Sequence, residues 1–312
     1  MQDSNILLER IATALEKIAL ILEDKTNTSL SIVAEHVNNE ISSLEEDSEV
    51  PTILKNEKKE VDVHILIEKL AENRIAVKTY PEREQENSEL DNLSQFMGSR
   101  FSDIKVVYEK IKRSLNSSAG FHLDMKTFSQ SSVSYSCQLC TMLYKIAFLS
   151  EYKYLKSPRY SLHATPNRIP MAINFLTGHW LEYFVKLTIL SVINRLPCKV
   201  EYSYVINPQI ILPNGDDFEL DVVFLINGNI YWIEAKTGAY QNYIDKYSKV
   251  AKKLNVMSER MFMVLTEIPS QDITRILEKN FGIQIIQVEE FERKMTEVLT
   301  CEVISNNDKE KN

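Results

Sequence analysis

The sequence predicts a mixed α/β (α+β) domain over residues 169–300, set behind a mainly helical region. Three observations predict it. Residues 219–236 read as two apolar strands joined by Asn227-Gly228, a dipeptide that favours the two-residue hairpin turn because both central positions need positive φ. Stretches of helical apolar spacing (173–193, 242–254, 271–280, 289–299) alternate with strand-length apolar runs (200–212, 261–266, 283–288). That order, helix, three strands, then helix and strand in turn, describes a sheet covered by helices.

Composition sets outer bounds. The chain has 312 residues, 44% of them hydrophobic, which suits two globular domains or one with elaborations. No apolar run reaches the roughly 18–20 residues of a membrane helix, and the N-terminus lacks a basic segment leading into an apolar one, so the expectation is a cytoplasmic protein with no membrane partner. The four cysteines, at 137, 140, 198 and 301, are too scattered for a disulfide framework. Cys137 and Cys140 form a lone CxxC, read either as half a zinc site or as two core residues.

Residues 1–25 predict a helix whose Ile11, Leu15, Ile18 and Leu22 form one apolar seam, started by Asp3 or Ser4. The seam suits either a short coiled coil with a second copy, making a homo-oligomer, or packing on its own chain. Residues 26–60 are polar and acidic, with Glu45, Glu46, Asp47 and Glu49 close together, and predict a flexible linker. The region 61–168 resumes apolar spacing. Val63, Ile65, Leu66, Ile67 and Leu70 suit a helix, 75–77 a short strand, and 92–115 a further helix with Lys105, Lys110, Lys112 and Arg113 outside.

Residues 100–168 carry 11 Lys and Arg against 4 Asp and Glu, a net +7 inside a chain of net charge −8. A basic block of this kind is the electrostatic footprint of a nucleic-acid partner. Within it, a helix at 133–149 leads into a strand, a Ser157-Pro158-Arg159 turn and a returning strand. Over about 120–168 this resembles a winged helix, whose Lys153, Lys156 and Arg159 would meet phosphates; the same unit also suits packing against a partner protein. Residues 301–312 read as a tail.

The chemistry gathers on the hairpin. With Asn227 and Gly228 as loop residues, Asp221 faces Glu234 and Glu219 faces Lys236, all four on one face of the sheet. Facing like charges are destabilising, so the acidic pair needs a reason, and a divalent cation between them supplies one. Glu182, on the helix before the hairpin, reads either as a solvated carboxylate or as a further member of the site.

Glu182 on a helix, then Asp221, then Glu234-Ala235-Lys236 on the next strand resembles the PD-(D/E)XK nuclease superfamily, with a restriction-endonuclease-like core. More narrowly, Gly178-His179-Trp180-Leu181-Glu182, the segment 219–223 and the segment 233–238 resemble the nuclease module of CRISPR-associated nucleases that carry a cyclic-oligonucleotide-sensing CARF domain. Residues 1–168 contain neither repeated βαβ units nor glycine-rich turns that would mark such a sensor. The resemblance implies a metal-dependent endonuclease, acting on DNA ahead of RNA, with a role in antiphage defence. It implies that Asp221, Glu234 and the Ala235 carbonyl bind Mg2+ or Mn2+, that Lys236 activates water, and that Glu182 completes the metal sphere. Glu219 would pair with Lys236, while Gln241 and Lys246, opening the helix after the site, suit either contact with the nucleic-acid backbone or a solvated helix face. The competing expectations are a non-catalytic DNA-binding or regulatory protein and a ribonuclease effector gated by a small nucleotide.

Overall fold

The structure, a computed structural model, describes residues 58–81, 87–117 and 119–309. The coiled-coil and homo-oligomer expectation on 1–25 lies outside them. In chain order, β1 (Lys58–Glu60), α1 (Val63–Glu72) and β2 (Ala76–Thr79) precede the helices α2 (Ser88–Ser99) and α3 (Phe101–Ser117). Next come β3 (Phe121–Asp124), α4 (Gln130–Lys145), β4 (Leu149–Leu155) and β5 (Ser161–Pro166). A short helix α5 (Pro170–Asn174) and a π-helical turn (Phe175–His179) lead into α6 (Trp180–Arg195). The remainder is β6 (Val200–Ile206), β7 (Gln209–Ile211), β8 (Asp217–Glu219), β9 (Val222–Ile226), β10 (Asn229–Lys236), α7 (Ile244–Lys253), β11 (Met261–Leu265), α8 (Gln271–Phe281), β12 (Gln284–Gln287) and α9 (Phe291–Lys309).

The main sheet runs β1-β6-β9-β10-β11-β12, so the fold is mixed α+β. Its antiparallel hairpin has the register that the Asn-Gly turn predicts: Ile226 faces Asn229 and Val222 faces Ile233. Asn227 and Gly228 take φ of 47° and 78°, the backbone a twist-matched hairpin turn requires. β9 is buried on both faces, as is most of β10, which is why both read as unbroken apolar runs. Phe224, Tyr231, Ile233 and Phe262 enter one core with α2, α3, α4 and α6, while Val223, Trp232, Met261 and Met263 enter a second core with α1 and α7. One apolar core therefore runs from the helical region into the sheet.

Four expectations are corrected. The stretch 26–60 ends in structure, because β1 pairs parallel with β6, and the Lys58 ammonium donates to the Leu196 carbonyl at 2.6 Å and to that of Cys198. Two lysines and a glutamate in three residues give periodicity nothing to detect. The single strand expected over 200–212 is two: Asn207 has φ of 52° and Pro208 cannot donate to a ladder, so β7 leaves the main sheet and joins a second one, β2-β7-β8. β8 lies in that second sheet, so Glu219 faces Gln209 and accepts from its amide rather than pairing with Lys236. The helix expected over 92–115 is also two helices, α2 and α3, separated at Arg100.

A third, antiparallel sheet runs β3-β5-β4, with α3 and α4 against its apolar face. α2 crosses α6 at Gly98, where an added Cβ would overlap the Phe184 ring. Overpacking of this sort costs about 1–3 kcal/mol. Gly98→Ala is therefore expected to lower unfolding free energy by about that amount in denaturant titration, and Gly98→Ala with Phe184→Leu to recover part of it.

Candidate active site

Asp221 stands one residue before β9, on the Trp232 side of the sheet. Its carboxylate Oδ2 accepts from the Ala235 amide at 2.8 Å and from the Lys236 ammonium at 2.6 Å. Glu234 is 1% exposed; its Oε1 accepts from the Trp232 indole at 3.0 Å and the Asp221 amide at 3.3 Å, and its Oε2 lies 2.9 Å from the Lys236 ammonium. One ammonium thus bridges two buried carboxylates. It also lies 5.6 Å from the centre of the Tyr247 ring on α7.

Burial raises the Glu234 carboxyl to about 8, and the neighbouring Asp221 charge pushes the same way. Burial by itself would lower the Lys236 ammonium, but the charges of Glu234 and Asp221 outweigh it and hold Lys236 above its ordinary range. Glu182, in the first turn of α6, is likewise raised to about 7 by burial and then by Asp221. Its Oε2 accepts from the Asn207 side-chain amide at 2.8 Å.

Asn207 is a member of the site that periodicity missed. Its backbone amide donates to the Asp221 carbonyl at 2.9 Å, its side chain holds Glu182, and its buried Oδ1 has no partner. The available signal was Asn207-Pro208 interrupting an apolar run, a combination that marks a turn. Lys112 was expected on an exposed face, yet its half-buried ammonium donates to the Thr237 carbonyl and hydroxyl at 3.1 Å each. Of the other basic residues of α3, Lys105 pairs with Glu267 and Arg113 with Glu109.

The fold brings Asp221, Glu234, Ala235 and Lys236 together, with Glu182 linked through Asn207. Gln241 caps its own turn, accepting from the Tyr240 amide at 3.1 Å, and Lys246 lies 4.7 Å from the Phe218 ring centre. Lys153, Lys156 and Arg159 stand exposed on the β4–β5 hairpin of the third sheet. Among the described residues, no group of three or more His, Cys, Asp or Glu side chains gathers as a metal cluster. The oxygens offered to a hard cation are those of Asp221 and Glu234, where the Lys236 ammonium already acts as the shared cation.

Fold and site together define a mixed α+β protein with a buried carboxylate pair at the open end of its central hairpin. The fold is similar to that of Can2 from Sulfobacillus thermosulfidooxidans, solved in complex with cyclic tetra-adenylate, with a TM-score of 0.53 and 14% identity over 75% of this chain and 60% of that one. Protein VC1899 from Vibrio cholerae matches over the same shares, with 18% identity and a TM-score of 0.48. The chain thus spans about 60% of the length of these two structures. No protein-family model matches the sequence, and no curated protein matches it. Among the described residues, no helix is long and apolar enough to cross a membrane.

The two raised carboxyls set a pH dependence. Between about 4.5 and 8 the unfolded chain releases protons that native Glu182 and Glu234 retain, so native stability falls as pH rises. Without divalent cation, the thermal midpoint is expected to drop from pH 5 to pH 8.5, and Glu234→Gln to flatten that decline. A midpoint that rises over this window in both proteins would refute the assignment.

Proposed function

We propose that this chain is a metal-dependent nuclease of the PD-(D/E)XK type, hydrolysing phosphodiester bonds of nucleic acid, with DNA ahead of RNA as substrate. The observation that carries the reading is the convergence of Asp221, Glu234 and Lys236 at the end of one hairpin. The fold shared with Can2 supports it, and supports a place among CRISPR-associated effectors in antiphage defence.

Mg2+ or Mn2+ would be held by Asp221, Glu234 and the Ala235 carbonyl, with Glu182 completing the sphere directly or through water. Bound there, such a cation supplies Lewis acidity toward the phosphate and a more acidic water. The protein's own groups do the rest. Lys236, kept cationic by its neighbours, orients the attacking water and offsets charge growing on the phosphorane. Asn207 fixes the Glu182 carboxyl where it would reach the cation directly or through water. The segment α3-β3-α4-β4-β5, with one helix between β3 and the β4–β5 hairpin, is read as a winged-helix-like unit whose basic block would deliver substrate through Lys153, Lys156 and Arg159, with Gln241 and Lys246 nearer the site.

The test is cleavage of plasmid, single-stranded DNA and RNA with Mg2+ or Mn2+, each with and without cyclic tetra-adenylate. Asp221→Ala and Lys236→Ala are expected to lose about 100-fold or more in rate, and a chelator to stop the parent. No cleavage of any substrate, or variants as active as the parent, would sink the proposal. Activity only with the cyclic ligand would identify a gated effector.

A further inference from the structure

The face of the third sheet turned away from α3 and α4 carries a row of nitrogen-bearing side chains. His122 on β3 faces His163 on β5, and His163 faces Lys153 on β4, so the three stand side by side across all three strands. Leu123, Leu162 and Ala164 point the other way into the core. The His122 and His163 rings are 4.5 Å apart, and their Nε2 atoms lie 2.7 and 3.0 Å from the single Ser161 hydroxyl. That network sets the two rings at one height above the sheet. A cavity of about 690 Å3 opens here, lined by His122, His163, Lys153, Glu151 and Thr165 among others.

The chemistry of this face favours an anion. The two nearby acids are already engaged: Glu151 accepts from the Thr165 hydroxyl at 3.2 Å, and Asp124 accepts from the Lys126 amide at 3.0 Å. Lys153 beside His163 repels a metal cation, whereas ammonium, imidazole and hydroxyl donors together suit phosphate oxygens. The cavity is larger than one phosphate and lies in the range that holds a ligand of nucleotide size.

The position also matters. Lys112, bound to Thr237 next to Lys236, and Gly120, at the cavity edge, are eight positions apart, five steps along α3 and three beyond it. At about 1.5 Å per helical residue and 3.5 Å per extended one, that separation is at most about 18 Å, roughly five base steps of a strand.

We propose that this outer face, built on His122, His163, Lys153 and Ser161, is a phosphodiester-binding site for a nucleic-acid strand whose continuation reaches the Asp221–Glu234–Lys236 cluster. That the strand is then cut rests on the nuclease reading; its binding does not.

The experiment is fluorescence anisotropy of labelled single-stranded DNA, duplex DNA and RNA with the full chain in excess chelator, across a salt series. Lys153→Gln is expected to weaken binding about threefold to tenfold and to lower the slope of log affinity against log salt by about 0.9, as loss of one phosphate contact requires. Lys153→Arg should restore both. His122→Gln with His163→Gln should weaken binding by a similar factor, and in the unaltered chain the imidazole NMR signals of both residues should shift on adding a short oligonucleotide. The polymer that loses affinity identifies the ligand. Equal affinity and slope in every arm, no binding by the parent, or unmoved histidine signals would overturn the site. Intact binding without cleavage would sink the nuclease reading alone, while ordinary cleavage with unchanged binding in the variants would sink this site alone.

Discussion

The Lys236 ammonium held between Asp221 and Glu234 is the interaction on which the remaining architecture depends. Bringing an ammonium and two carboxyl groups out of water costs several kcal/mol for each that is ionised, and removing one member of such a buried group costs about 3–5 kcal/mol because the others are left unpaired. The arrangement survives only if every oxygen is occupied and the backbone cannot slip. Asp221 Oδ2 takes the Ala235 amide as well as Lys236, and Glu234 Oε1 takes the Trp232 indole and the Asp221 amide. A register shift of one residue would turn Asp221 and Glu234 to opposite faces, so the twist-matched Asn227-Gly228 turn is as necessary to the cluster as the charges themselves.

How much of this was legible follows from which signals are local. The hairpin was readable because turn chemistry and a continuous apolar run both report on neighbouring residues, and the observed pairing of Trp232 with Val223 and Ile233 with Val222 follows from them. The helices α6, α7 and α8 were readable from spacing for the same reason. Glu219 was misplaced because extending the hairpin register assumes one continuous strand, whereas the chain breaks between β8 and β9 and sends β8 to another sheet. Asn207 was missed because its role depends on a left-handed backbone and on two partners, Glu182 and Asp221, which are 25 and 14 positions away. β1 was missed because an edge strand needs no apolar face of its own.

Charge counting told a similar partial story. The +7 block of residues 100–168 is real as a sum, but a sum does not say where the charge is spent. Lys105 and Lys112 are tied to Glu267 and Thr237, so α3 contributes less free positive surface than its sequence suggests. The exposed positive character moves instead to the third sheet, where Lys153 faces His163 and Lys156 and Arg159 stand exposed in the turn between β4 and β5.

The same internal ties fix the third sheet relative to the carboxylates. Along α3, Ser102 donates to Glu289, Lys105 pairs with Glu267, the Tyr108 hydroxyl donates to the Leu176 carbonyl while accepting from Trp180, and Lys112 reaches Thr237. Spacings of three, three and four residues put all four on one helical face. Surface pairs such as Lys105 with Glu267 are each worth at most about 1 kcal/mol, but Tyr108 and Trp180 are buried, Trp180 stacked on Phe101 and Tyr108 edge-on to both, so polar ties and ring packing act on the same face. This helix also shares one apolar core with β5 and α6, so packing as well as polar ties connects the third sheet to the main one. The basic sheet is therefore carried as a fixed extension of the sheet that bears Asp221 and Glu234, and a long ligand meeting both would be positioned by the fold rather than by a closing motion.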